Sequence, residues 1–168
     1  MTLERLWAGW RGEYVAGASA TDSDAPEGCV FCRILASGEA DEKTYVLRRG
    51  ELCFAILNAF PYTSGHLVVM PFRHVGDLED LSAEEASEMW ATVTQGVAAL
   101  KRAYRPDGVN VGINLGRAAG AGVPGHVHVH VIPRWNGDAS FMTAAAEARV
   151  LPEALPATWE KLTKAWEQ

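Results

Sequence analysis

Residues 126–132 read His-Val-His-Val-His-Val-Ile. Only one regular backbone gives this alternation a consistent meaning. In an extended strand, positions i, i+2 and i+4 share a face, with neighbours about 6.6 Å apart. His126, His128 and His130 then project together, while Val127, Val129 and Val131 face the other way. A helix would turn positions two apart to different sides, and β-branched valines favour the strand. A lone histidine on an apolar face is usually a satisfied core residue. Three on one face, in a chain with five histidines in all, gather a side chain that titrates near neutral pH, attacks as a nucleophile and ligates metals. A strand is expected over Val127–Ile132, ended by Pro133.

The histidines follow a glycine-rich stretch, Gly116 to Gly125. Its glycines allow close backbone approach, so its amides can cradle an anion. Without the histidines it would read as an ordinary hairpin connection. Upstream, β-rich runs over Thr44–Arg48, Leu52–Asn58 and Gly65–Pro71 are separated by turn signals at residues 49–51 and 61–64. Ser82 with Glu85 forms a capping box. Trp90, Val93, Val97, Leu100 and Tyr104 then recur at helical spacing until Pro106-Asp107-Gly108. Val109–Asn114 reads as another strand, and Cys29–Ser37 as a short helix ending at Gly38. Residues 16–28 read as a mobile loop behind an aromatic segment, Leu6 to Tyr14. A C-terminal helix carries Trp159, Leu162 and Trp166. Hairpin-length turns between strands predict an α+β fold with a mainly antiparallel sheet.

Bulk properties exclude several classes. A length of 168 residues fits one domain. A net charge of −6 leaves no basic field for a nucleic-acid backbone, so a small anionic ligand needs local donors. No run of about 18 apolar residues exists, so no membrane span is expected. The N-terminus lacks the basic start and apolar core of a signal peptide, which points to the cytoplasm. Three cysteines make no disulfide framework. Cys29-x-x-Cys32 has the spacing of a thiolate pair on a metal, with redox chemistry or simple burial as competing readings.

Together these residues resemble the histidine triad (HIT) family. The likeness rests on His126–Ile132, Cys29-Val-Phe-Cys-Arg-Ile, Leu57-Asn58, Ser64–Pro71 and Asn114-Leu115-Gly116, in the family's order. It spans roughly residues 29–138, leaving an N-terminal extension and loop (1–28) and a C-terminal tail (139–168) whose helix packs on the domain. The resemblance implies a HIT-like α+β fold with one long helix and short helices, usually a homodimer. It also implies attack on a nucleotide's α-phosphate through a covalent nucleotidyl-histidine. His128 is then the nucleophile, flanked by His126 and His130, with His66 as the fourth histidine that orders the site. Val30, Phe31, Ile34 and Phe54 line the base pocket, Asn58 meets the ribose, and Asn114, Gly122 and His130 contact phosphate.

Many members also carry a Cys₂His₂ site at positions matching Cys29, Cys32, His74 and His126, which implies structural zinc. The segments Leu6–Arg11 and Asn114–Gly122 look like a bacterial branch that includes enzymes cleaving diadenosine tetraphosphate by phosphorolysis or hydrolysis. Three functions stay open at this point: a dinucleoside polyphosphate hydrolase or phosphorylase, a nucleoside phosphoramidase, and a non-catalytic nucleotide-binding protein. One departure stands out. Ala121–Gly125 supplies no side-chain donor where the family usually offers Gln, Ser or Thr, and Pro124 lacks even an amide hydrogen. The terminal aromatic segments are candidates for contacts beyond a dimer.

Overall fold

Strand alternation divides this chain's side chains between two layers, and that division sets the architecture. The computed structural model describes residues 26–138 and 153–167; the N-terminal aromatic segment and the stretch 139–152 lie outside them. Two short helices come first, α1 (Val30–Ala36) and α2 (Asp41–Thr44). Three strands follow, β1 (Val46–Arg49), β2 (Cys53–Leu57) and β3 (Leu67–Pro71). The long helix α3 (Ala83–Tyr104) leads to β4 (Gly108–Ile113) and β5 (Val129–Arg134), and α4 (Leu155–Trp166) closes the described chain. The sheet is antiparallel throughout, in the order β1-β2-β3-β5-β4.

On one face, Cys53, Ala55 and Leu57 join Leu67, Val69, Val129 and Val131 under α3 and α4. On the other, Phe54, Ile56, Val68 and Met70 form a smaller cluster, covered by Phe31, Ile34 and Leu35 of α1 and by Phe72. Val68 pairs with His130 across β3 and β5. His130 therefore stands on the α1 face, where Phe31 also meets His126 and His128, and Val129 and Val131 are buried beneath α3 and α4.

The capping box at Ser82 is present in full: the Ser82 hydroxyl accepts from the Glu85 amide, and the Glu85 carboxylate accepts from the Ser82 amide. Glu85 also receives Arg73, which holds its carboxyl below the usual range. That ion pair ties the segment after β3, and with it His74, to the start of α3. The buried stripe of α3 is Met89, Val93, Gly96 and Leu100, rotated from the stripe expected through Trp90, which is 49% exposed. The reason is Gly96. A Cβ there would lie 3.1 Å from the Trp166 ring, so α4 crosses α3 where α3 has no side chain.

Strand limits also shift from expectation. Thr44 closes a helical turn, Asp41–Thr44, rather than starting a strand, and Pro26–Gly28 at the end of the expected loop form a 3₁₀ turn. Paired strand begins at Val129 rather than Val127, and Pro133 lies inside β5 instead of ending it. The Pro133 carbonyl accepts the Thr63 hydroxyl at 2.9 Å. Its nitrogen therefore points to the same side, beyond the last β3 pair at Leu67–Val131, where no ladder hydrogen bond is needed.

The C-terminal helix packs on α3 and β1. Leu162 is fully buried, Trp159 Nε1 donates to the Val46 carbonyl at 2.8 Å, and Arg102 Nε donates to the Ala165 carbonyl at 2.8 Å. Leu162→Ala is expected to destabilise the fold by about 2–5 kcal/mol, read as a lower urea midpoint with an unchanged slope. A change under about 0.5 kcal/mol would mean that α4 is only loosely attached.

Candidate active site and metal centre

His128 is 5% exposed, and its Nδ1 lies 2.7 Å from the His126 carbonyl oxygen. A carbonyl can only accept, so Nδ1 carries the proton and Nε2 keeps its lone pair. The backbone just ahead of β5 thereby sets the tautomer of the central histidine of the three. Burial lowers the His128 pKa, partly opposed by that hydrogen bond. The imidazole is thus neutral and nucleophilic at physiological pH. Phe31 packs edge-on to it, with ring centroids 5.4 Å apart.

A second chain of bonds fixes His130. The Tyr62 amide donates to His66 Nδ1 at 3.1 Å, so the proton of His66 sits on Nε2. His66 Nε2 lies 3.0 Å from His130 Nδ1 and donates to it. His130 therefore carries its own proton on Nε2. Burial, and then the neighbouring His128, push its pKa down to about 4. His128 and His130, with ring centroids 4.9 Å apart, present different edges: one a lone pair, the other an N–H.

Asn58 follows β2 and places its amide nitrogen 3.4 Å from the His66 ring nitrogens. Its carbonyl oxygen accepts the Phe60 amide at 3.0 Å. Asn114 stands one residue past the Ile113–Val129 pair, where the register carries it alongside His128. Gly122 is half-buried in the loop before the triad. That loop is docked by the Val127 amide on the Val75 carbonyl at 2.7 Å. Val30, Phe31 and Ile34 are half-buried on α1. Phe54 is wholly buried and stacked on Phe72, so it forms a floor beneath them.

His126 faces elsewhere. Its Nε2–H donates to the Pro71 carbonyl at 2.9 Å, leaving Nδ1 to face two thiols. Nδ1 is 3.4 Å from Cys29 Sγ and 3.7 Å from Cys32 Sγ, and Cys32 Sγ is 3.4 Å from His74 Nδ1. All four donor atoms lie within 4.8 Å of one another. Tetrahedral zinc, with bonds of about 2.0 Å to nitrogen and 2.3 Å to sulfur, requires nitrogen–sulfur separations of about 3.6 Å. The donor set and its spacing fit that ion. Cys29 caps α1 without spending its side chain on a cap bond. Burial, and then Cys29, push the Cys32 thiol up to about 11. A divalent cation between the thiols reverses that opposition. With four protein ligands and no open position, zinc here is structural.

The sequence missed Tyr62, read only as a turn residue. Its amide anchors His66, and its ring stacks nearly parallel to His130, 6.1 Å away at 17°. The available signal was an aromatic residue in the turn just ahead of His66. The carbonyl oxygens of Pro71 and Val75 carry no sequence signal at all.

An antiparallel α+β fold that buries a tautomer-locked histidine beside a second imidazole donor defines the histidine-triad class of nucleotide-handling proteins. The chain belongs to the HIT family, among its enzymes: residues 39–137 match the HIT domain. It is 41% identical to the AP-4-A phosphorylase of Mycobacterium tuberculosis over 98% of this chain and 85% of that one. A zinc-bound histidine triad family protein from Mycobacterium smegmatis superposes with a TM-score of 0.69 at 31% identity, covering 85% of this chain and 96% of the other. A hypothetical histidine triad nucleotide-binding protein from Sulfolobus tokodaii gives 0.67 at 28% identity, covering 83% and 92%.

Purified protein is expected to carry about one zinc per chain by elemental analysis. Cys32→Ser should abolish that stoichiometry and lower the melting temperature. Zinc-free protein of unchanged stability would refute the metal's structural role.

Proposed function

We propose that this protein cleaves dinucleoside polyphosphates of the diadenosine tetraphosphate type at an α-phosphate, with inorganic phosphate as the acceptor. The observation that carries the reaction type is the buried, unprotonated Nε2 of His128, held by the His126 carbonyl. The near-full-length likeness to an AP-4-A phosphorylase supports the substrate and the acceptor.

In the first step His128 Nε2 attacks the α-phosphorus. A P–N bond forms, and the bond from that phosphorus to the bridging oxygen breaks. ATP leaves, and adenylyl-His128 remains. In the second step a phosphate oxygen attacks the same phosphorus. The P–N bond breaks, releasing ADP and restoring neutral His128. Splitting one displacement in two is the general logic of covalent catalysis. His130 Nε2–H, Asn114 and the backbone amides around Gly122 supply the donors for developing charge on the phosphoryl oxygens. His126 serves the zinc site and, through its carbonyl, orients the nucleophile. His66 holds the His130 tautomer.

One base lies against Val30, Phe31 and Ile34 above Phe54, with its ribose at Asn58. The β4 edge of the sheet, where Val111 is exposed, is the surface we assign to a second copy in a homodimer. No helix among the described residues is long and apolar enough to cross a membrane. Reduced thiols at the metal site suit the cytoplasm.

Diadenosine tetraphosphate with phosphate should yield ATP and ADP; AMP in place of ADP would mean that water is the acceptor. His128→Ala should lose at least about 10⁴-fold in kcat. Substrate mixed with wild-type protein without phosphate should add one adenylyl mass to the chain. A fully active His128→Ala variant would overturn the mechanism.

The pH profile follows from the two imidazoles. His128 must be unprotonated to attack, and His130 must stay neutral to accept from His66. Both pKa values are lowered by burial, that of His130 from 6.5 to about 4. Activity is therefore retained on acidification through the ordinary imidazole range and lost only as pH falls towards those depressed values. The acid limb of kcat/KM should lie well below pH 6.5. A midpoint at or above that value would contradict the neutral-imidazole site.

A further inference from the structure

Among the described residues, the exposed aromatic surface beside the site lies on the loop between β2 and β3. Phe60 is 68% exposed and Tyr62 is 39% exposed. The loop is held at three points. Asn58 Oδ1 accepts the Phe60 amide at 3.0 Å, the Tyr62 amide donates to His66 at 3.1 Å, and Thr63 Oγ1 donates to the Pro133 carbonyl at 2.9 Å. An aromatic ring left partly in water on a well-braced loop is pre-organised for contact.

The rings form a row. Phe31 meets His128 at 5.4 Å, His128 meets His130 at 4.9 Å, and Tyr62 lies nearly parallel to His130 at 6.1 Å. Tyr62 also packs on His66 at 4.7 Å. His128 thus has an apolar ring towards α1 on one side and the Tyr62 ring beyond His130 on the other. A substrate whose α-phosphorus meets His128 extends in two directions. Phe31, Ile34, Leu35 and Phe72, half-buried over the core cluster of Phe54, Ile56, Val68 and Met70, are the apolar surface at the α1 end. The departing end needs a different support, and the net charge of −6 argues against a field of cations.

Resting on the dinucleoside polyphosphate reading above, we propose that the Tyr62 ring is a stacking platform for the nucleobase of the departing nucleotide. The site thereby selects substrates with a nucleoside at both ends. Stacking uses the π face that every base has, so this end tolerates different bases while requiring that one be present.

Calorimetry tests this with unreactive methylene-bridged analogues of diadenosine tetraphosphate and adenosine tetraphosphate. Wild-type protein is expected to bind the two-nucleoside analogue about tenfold or more tightly than the one-nucleoside analogue. Tyr62→Leu keeps the backbone amide but removes the ring, and should bring the ratio close to one. Tyr62→Phe should preserve it. A merely structural role for Tyr62 would weaken both ligands together and leave the ratio intact. An analogue whose second ribose lacks a base examines the same contact with no substitution, and should bind like the one-nucleoside ligand. A wild-type ratio near one, an unchanged ratio in Tyr62→Leu, or an abasic analogue that binds like the full one would each overturn the platform. Turnover is measured in parallel. A normal two-nucleoside preference without cleavage would refute the proposed reaction and leave the platform supported.

Discussion

The hydrogen bond from His128 Nδ1 to the His126 carbonyl, 2.7 Å long, is the interaction on which the rest of the site depends. It joins residues two apart in the segment that leads into β5, so main chain and ring of neighbouring histidines hold each other. It gives His128 one reactive nitrogen. It also makes His126 a bifunctional residue, whose side chain enters the Cys₂His₂ cluster while its carbonyl orients His128, the proposed nucleophile. The metal site and the reactive site are therefore adjacent links of one backbone. The second ring nitrogen of His126 is in turn held by the Pro71 carbonyl, the outer support that metal-bound imidazoles typically need. His74 reaches the same cluster from a segment tied to α3 by Arg73 and Glu85.

The bonds through Tyr62, His66 and His130 behave as a chain of fixed donors. Each imidazole accepts at Nδ1 and donates at Nε2, and the chain begins at a backbone amide. An amide neither yields nor accepts a proton at neutral pH, so protons cannot be passed along this row to solvent. What the row supplies is direction: an N–H at His130 that is already oriented and, in the proposed reaction, requires no reorganisation. Burial of both His128 and His130 keeps the pair neutral, which avoids placing two like charges 4.9 Å apart between ring centres.

Much of this was legible in the sequence because it follows from periodicity. Alternating histidines pointed to one shared face, though only His130 lies in paired strand, and the capping box at Ser82 is a local pattern with a local outcome. The cysteine pair with His74 and His126 also converged as expected. Features set by tertiary contact were not legible. Trp90 fits a helical stripe as well as Met89 does, and only the crossing of α4 at Gly96 decides which one is buried. Pro133 reads as a terminator until its neighbour strand is known to stop short of it. Tyr62 acts through a main-chain amide, which side-chain identity does not reveal. Its ring gains meaning only once β3 and β5 bring His66 and His130 together.

The scarcity of side-chain donors in Ala121–Gly125 has a physical consequence for turnover in the proposed reaction. Lysine or arginine at this loop would hold a polyphosphate strongly, and would hold released ATP about as strongly, because its terminal phosphate restores the charge that the lost phosphate carried. Neutral imidazole N–H groups and backbone amides bind by direction rather than by net charge. They favour the phosphoryl group as its charge shifts during attack and have less hold on what leaves. The chain's net charge of −6 adds no general attraction for either the substrate or the products. Substrate affinity must then come from uncharged contacts at its ends. That is the division of labour between the α1 pocket at one end of the histidine row and the aromatic loop at the other.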